Sequence, residues 1–216
     1  MVNISSIRKN EANMKLHNYL EHVIGNRITI SILRTLVKYR GKIYTIRGLA
    51  EDAKASHPEV SKILEDLEKF GIVQIQPVGR AHQISLNEKS YILNKIIKPI
   101  LSAEEKTLAE VILILSNILG TKKIISVAIF GSVASGKEQV DSDIDVLVIC
   151  DDFDHAISLI SKASEEISSK FQSKLSHVVF SESQFRSKEK KNNALVQSIL
   201  DNHIMIYGKE LSTVLK

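Results

Sequence analysis

Residues Gly131–Cys150 read GSVASGKEQVDSDIDVLVIC. A β-branched run, Ile124–Phe130 (IISVAIF), leads into them and ends on the Gly131-Ser132 pair. That order predicts a strand delivering the chain to a glycine turn, with Ser132 placed to cap the next element. SVASGKEQV suits a short helix, whose unpaired N-terminal amides attract anions. Asp143–Cys150 (DIDVLVIC) predicts a second strand. Alternation puts Asp143, Asp145, Leu147 and Ile149 on one face and Ile144, Val146, Val148 and Cys150 on the other. Both faces are apolar beyond Asp145, as in a strand covered on both sides. The two aspartates stand about 7 Å apart at Cα on the same face and repel each other unless something positive lies between them.

Working outward, Phe153–Phe171 predicts an amphipathic helix, Lys174–Phe180 (KLSHVVF) a third strand, 192–202 a helix and HIMIY a last short strand. On the N-terminal side, Ser90–Ile100 is helix-compatible until Pro99, which ends or kinks it. Ser102-Ala103-Glu104-Glu105 reads as a capping box opening a helix to Leu119. That helix carries Leu108, Val111, Ile112, Leu115, Ile118 and Leu119 on a broad face, with Ile114 almost opposite. Such breadth calls for burial on two sides. Core packing is the expected role, and pairing with a second copy in a homodimer is the alternative.

The first half has a different pattern. Arg27–Tyr39 repeats apolar residues at helical period, Gly41 stops it, and KIYT suits a short strand. Thr45 caps a helix, IRGLAEDA. Ser56 and Glu59 form a capping box for a helix burying Val60, Ile63, Leu64 and Leu67, closed by Phe70-Gly71. IVQIQPV and AHQISL then alternate around a turn at Gly79-Arg80. This order resembles the winged helix-turn-helix domains of prokaryotic transcription regulators. The resemblance implies DNA or RNA binding, with His57, Ser61 and Lys62 on the capped helix and Arg80 and His82 on the wing as contacts. Glu59, Glu65, Asp66 and Glu68 on the same helix oppose phosphate binding. A winged helix used for protein contacts is the competing reading.

Bulk properties narrow the class. The chain has 216 residues and a formal net charge of +4, with a single cysteine, Cys150. One cysteine excludes an internal disulfide framework and suits a reducing compartment. The N-terminus lacks the apolar core of a signal peptide, and the longest apolar run, Val111–Leu119, is too short to span a bilayer. A cytoplasmic protein with no membrane partner is the expectation. Lys15–Lys98 holds 14 Lys/Arg against 8 Asp/Glu, so the remainder is slightly acidic. A basic half and an acidic half suggest two domains with different partners.

The aspartate pair now finds its counter-charge. A phosphate-holding turn and two carboxylates on neighbouring strands describe a site for a nucleoside triphosphate with Mg²⁺ or Mn²⁺. Gly131-Ser132, ten intervening residues and Asp143-Ile144-Asp145 resemble the signature of the polymerase β-like nucleotidyltransferases, and within them the minimal ones of prokaryotes. The resemblance covers 102–216. It implies an α+β fold with a small mixed β-sheet flanked by helices, and transfer of a nucleoside monophosphate from an NTP to a protein or nucleic-acid hydroxyl. Gly131 and Ser132 would bind nucleotide, and Asp143 and Asp145 would be both catalytic residues and metal ligands. Active members of the family usually carry a third carboxylate on the next strand. KLSHVVF has none: Ser176 or His177 stands in that region and Glu182 lies just beyond it. The gap favours two alternatives, a DNA-binding regulator whose degenerate domain senses nucleotide, or an interaction module like the antitoxins that share this fold. The expected organisation is an N-terminal segment (1–17), a winged helix domain (18–88), a helical connector (89–120) and a nucleotidyltransferase-like domain (121–216).

Overall fold

The computed structural model describes residues 16–79 and 81–216, which form two compact units meeting in sequence at Glu105 and Lys106. The N-terminal segment before residue 16 and the predicted contact Arg80 lie outside the described residues.

In the first unit, α1 (Leu20–Ile24) and α2 (Arg27–Lys38) precede β1 (Tyr44–Thr45). Helices α3 (Ile46–Ala53) and α4 (His57–Lys69) come next, then the hairpin β2 (Val73–Val78) and β3 (Ala81–Leu86). The Thr45 hydroxyl accepts from Gly48 N–H to start α3, as expected, and the Asn26 carboxamide, not foreseen, caps α2. The Ser56–Glu59 capping box opens α4. Lys54, between α3 and α4, is left-handed, which ends the first helix sharply. The antiparallel sheet has the order β1-β3-β2. Ile32, Leu33, Leu36, Leu49, Val60, Leu64, Leu67 and Ile84 are buried in one core.

Pro99 does not end the helix it was expected to break. A π turn, Leu93–Ile97, runs directly into α5 (Lys98–Leu119), so Ser102 lies inside a helix and caps nothing. Lys98 N–H bonds Leu93 O, five residues back. Pro99, which has no N–H, follows at once, and the wider π turn just before it is where the continuous helix accommodates the missing donor.

The second unit contains the rest of α5 and then β4 (Ile124–Phe130), α6 (Gly131–Ala134), β5 (Ile144–Cys150), α7 (Phe153–Phe171), β6 (Leu175–Phe180), α8 (Glu182–Lys190), α9 (Ala194–Asp201), β7 (His203–Gly208) and α10 (Leu211–Val214). Its sheet is mixed, with the order β6-β5-β4-β7 and only β5–β6 parallel. Both faces are covered. Val127, Ile129, Val146 and Val148 pack with Val111, Leu115 and Leu119 of α5 and with Ala156, Ile160 and Ala163 of α7. Leu147 and Ile149 pack with Phe180, Phe185, Val196 and Ile199, from β6, α8 and α9, on the other face. The expected mixed sheet between helices is therefore present. Cys150 is buried, as its apolar strand end required. No helix among the described residues is long and apolar enough to cross a membrane.

Candidate active site

Strand β4 delivers the chain to Gly131, whose φ of +71° only glycine adopts without strain. The expected helix after it is shorter than SVASGKEQV. α6 is a single turn, closed by the Ser135 hydroxyl, which donates to Gly131 O and Ser132 O at 3.0 Å each. Lys137 N–H donates to Ser132 O at 2.9 Å, and the exposed Lys137 side chain points to no described partner. A four-residue helix has little macrodipole, so anion binding here would rest on individual amides and the Ser132 hydroxyl.

Across the sheet Phe130 pairs with Asp145, so the carboxylate lies beside the glycine turn. A Cβ on Gly131 would collide with Asp145 Oδ2. The left-handed φ is what calls for glycine here, and a side chain in its place would also push the Asp145 carboxylate aside. Asp143 precedes β5 by one residue and is exposed, whereas Asp145 is half-buried within the strand. Burial raises the Asp145 carboxyl above the ordinary aspartate range. A hydrogen bond from the Ser176 hydroxyl counters the rise, and the Asp143 charge adds to it. The two carboxylates thus repel, as the spacing in sequence implied.

Register settles the third position. Asp145 pairs with Ser176 and Val146 with His177, so Ser176 shares the face of Asp145 and His177 points to the other. His177 is thereby removed as a base for this site. Glu182 is removed too. It begins α8 at the far end of parallel β5 and β6, where Arg186 and Lys209 engage it. Among the described residues, no three of the His, Cys, Asp and Glu side chains form a group able to hold a metal. Two carboxylate donors still suit Mg²⁺, which typically takes one or two protein carboxylates and completes its shell with water and substrate phosphates.

The predicted nucleic-acid contacts lie in the first unit. His57 and Lys62 are exposed on α4, Ser61 is half-buried there, and His82 is exposed on β3, paired with Pro77 near the hairpin tip. Of the opposing acids, Glu59 is consumed by the cap of Ser56, and Glu68 accepts from Ile75 N–H at 3.1 Å. Asp66 is paired with Lys69 at 2.9 Å. Of these four acids, only Glu65 is exposed on α4 with no described hydrogen bond or ion pair.

Sequence reasoning missed a small polar hollow next to Asp143, of about 160 Å³, between residues 140–143 and the α7–β6 link at 172–174. The signal was faint: a polar Gln-Ser-Lys connection entering the strand beside the acidic pair. Helix α8 was missed as well.

A mixed sheet between helices carries a glycine-serine turn with an acidic pair against it. By comparison, residues 114–211 match the family described as polymerase beta, nucleotidyltransferase. Among solved structures, a toxin–antitoxin complex with AMP-PNP is 18% identical, covering 50% of this chain and 81% of that one at a TM-score of 0.35. The DNA-binding protein Sso10a-2 from Sulfolobus solfataricus is 20% identical over 44% of this chain and 98% of its own, TM-score 0.32. The archaeal chromatin protein TrmBL2 is 18% identical over 76% of this chain and 65% of its own, TM-score 0.28. No curated protein matches.

Proposed function

We propose that the second unit binds an NTP with Mg²⁺ or Mn²⁺ and transfers its nucleoside monophosphate to a hydroxyl, and that the first unit is a winged helix that positions the protein on nucleic acid or a partner. The observation that carries this reading is the seating of Asp145 against Gly131, with Asp143 beside it. A repelling pair placed against a glycine turn is costly in the free protein and is relieved by a bound cation. Gly131 amide and Ser132 would hold the outer phosphates. Asp143 and Asp145 would hold the metal, which supplies charge neutralisation at the phosphates. The half-buried setting of Asp145 limits competing water, and the Ser176 hydroxyl beside it favours the charged carboxylate.

The first unit supports the second part of the proposal through α4 and the hairpin. With Glu59, Asp66 and Glu68 engaged internally, a duplex would meet His57, Ser61, Lys62 and His82, with Glu65 the one acid of the four opposing them. One observation favours the nucleotide-sensing alternative: Ser176, a neutral hydroxyl, holds the strand position beside Asp145.

Incubation with each α-³²P-labelled NTP, Mg²⁺ or Mn²⁺ and separate RNA and protein pools tests the transferase reading. Label transfer lost in Asp143→Asn/Asp145→Asn supports it. Metal-dependent nucleotide binding without transfer selects the sensor. A DNA gel shift at low salt, weakened by Lys62→Ala, supports the winged helix, and no shift on any sequence refutes it.

A further inference from the structure

Two grooves flank helix α8, of about 690 Å³ and about 490 Å³. They share Ser183, Ser187 and Lys191, which recur at four-residue spacing and so form one ridge, about 12 Å long, between them. The first groove adds Arg186 and Lys190 beside Asp151, and the second adds Gln184, Lys188 and Asn193. Among the described residues, no apolar one lines either groove. That composition decides the class of occupant. Small-molecule pockets are lined mainly by apolar and aromatic side chains, and protein interfaces centre on apolar or aromatic anchors. Hydroxyls, amides and cations are instead the groups that contact the phosphates and sugars of nucleic acids.

Charge points the same way. Between Arg186 and Lys191 there are four cations and one carboxylate, Glu189. Glu182, on the wall of the first groove, is already engaged by Arg186 and Lys209. Lys42, Lys69, Lys98, Lys123 and Lys170 are each paired with a carboxylate. Lys188, Lys190 and Lys191 enter no ion pair among the described residues, and Lys188 lies over the Phe180 ring, 5.4 Å from its centroid. Complementing the helix dipole calls for cations in the last turn alone, whereas the ridge of polar groups begins in the first. The grooves are also remote from the acidic pair. Asp143 precedes β5 and Asp151 follows it, so about 26 Å of extended chain lies between them.

We propose that the α8 grooves bind the phosphodiester backbone of a nucleic acid, as a contact of the second unit independent of α4 and the hairpin. Lys188, Lys190 and Lys191 neutralise phosphates, and the Ser183 and Ser187 hydroxyls donate to phosphate oxygens. No aromatic side chain lines the grooves to stack a base, so the contact reads backbone and not sequence.

Fluorescence anisotropy of the full chain with labelled 20-nucleotide RNA and 20-base-pair DNA, across a salt series, tests this. Each lysine–phosphate contact contributes about 0.7 (single strand) to 0.9 (duplex) to the slope of log K against log salt. Lys188→Gln/Lys190→Gln/Lys191→Gln should therefore lower the slope by about 2–3 and weaken binding about tenfold at low salt. Ser187→Glu, which keeps every lysine and puts a negative charge on the ridge, should weaken binding about threefold. Both are repeated in the Lys62→Ala background, where loss of the α4 contact leaves that of α8 visible. Unchanged far-UV circular dichroism and Tm verify the fold of each variant. Affinity and slope unchanged in both backgrounds overturn the proposal, whatever Lys62→Ala does to the winged helix. A polyglutamate peptide that binds as tightly as RNA and is lost in the same variants assigns the grooves to acidic polypeptides and overturns it too. So does a wild-type chain that binds neither RNA nor DNA at low salt.

Discussion

Replacing Asp145 with asparagine should stabilise the second unit while destroying metal-dependent nucleotide binding. Asparagine keeps the shape and can still accept from Ser176, so the change removes charge and little else. Two unit charges about 7 Å apart repel by about 0.6 kcal/mol at the dielectric of water and about 2.4 kcal/mol at an effective value of 20. Asp143 is exposed, which places the pair near the lower figure, and relief of partial burial adds to it. The expected gain is about 1 kcal/mol, or roughly 4 °C in Tm for a unit of this size. The sign with pH is fixed by the raised carboxyl. Wild-type Asp145 favours its protonated form in the fold, so its penalty is absent at acid pH and grows as pH rises through its elevated pKa. The variant's advantage should therefore be smallest at pH 4 and largest at neutral pH. Differential scanning fluorimetry in EDTA across pH 4–8 measures it. With MgATP the order should reverse, because only the wild type gains stability from binding. An Asp145→Asn variant less stable than wild type at pH 7 in EDTA would refute the account of the pair as a strained, cation-seeking site.

Gly131→Ala should abolish nucleotide binding and cost about 1–3 kcal/mol, from the left-handed φ and the collision with Asp145; urea unfolding and nucleotide titration check both. Ser176→Asp should add a third acidic group on the face of Asp145, lowering Tm in EDTA by about 2–4 °C and raising Mn²⁺ affinity, measured by calorimetry. Gly208→Ala, at φ +86° against the Ile125 carbonyl, should loosen the β4–β7 edge by about 1–3 kcal/mol, visible as faster amide exchange in β7.

The features legible in the sequence are those set by local physics. The caps at Thr45 and Ser56 set helix starts to the residue, because each cap is a short-range bond between a side chain and nearby amides. The buried strands β4 and β5 announced themselves by continuous β-branched runs. Helix α8 did not, because ESQFRSKEK buries only Phe185 and so lacks an apolar period. Its capping box, Ser181 with Gln184, was the available signal. Pro99 misled because the sequence does not display the π turn that accommodates it. The identity of the residue beside Asp145 depended on inter-strand register, where a one-residue slip would have exchanged Ser176 for His177. Strand order, likewise, is a long-range property. The acidic pair and the turn were legible; the hollow beside them, built from segments about thirty residues apart, was not.

The pairing of Phe130 with His203 joins strands separated by 73 residues of sequence. At ribosomal speeds of 5–20 residues per second, about 4–15 s elapse between the emergence of β4 and that of the partner that seals its flank. During that interval an apolar ribbon is open to any passing strand, so the nascent protein is most vulnerable to aggregation after the aspartate pair has been made and before the domain can shield it.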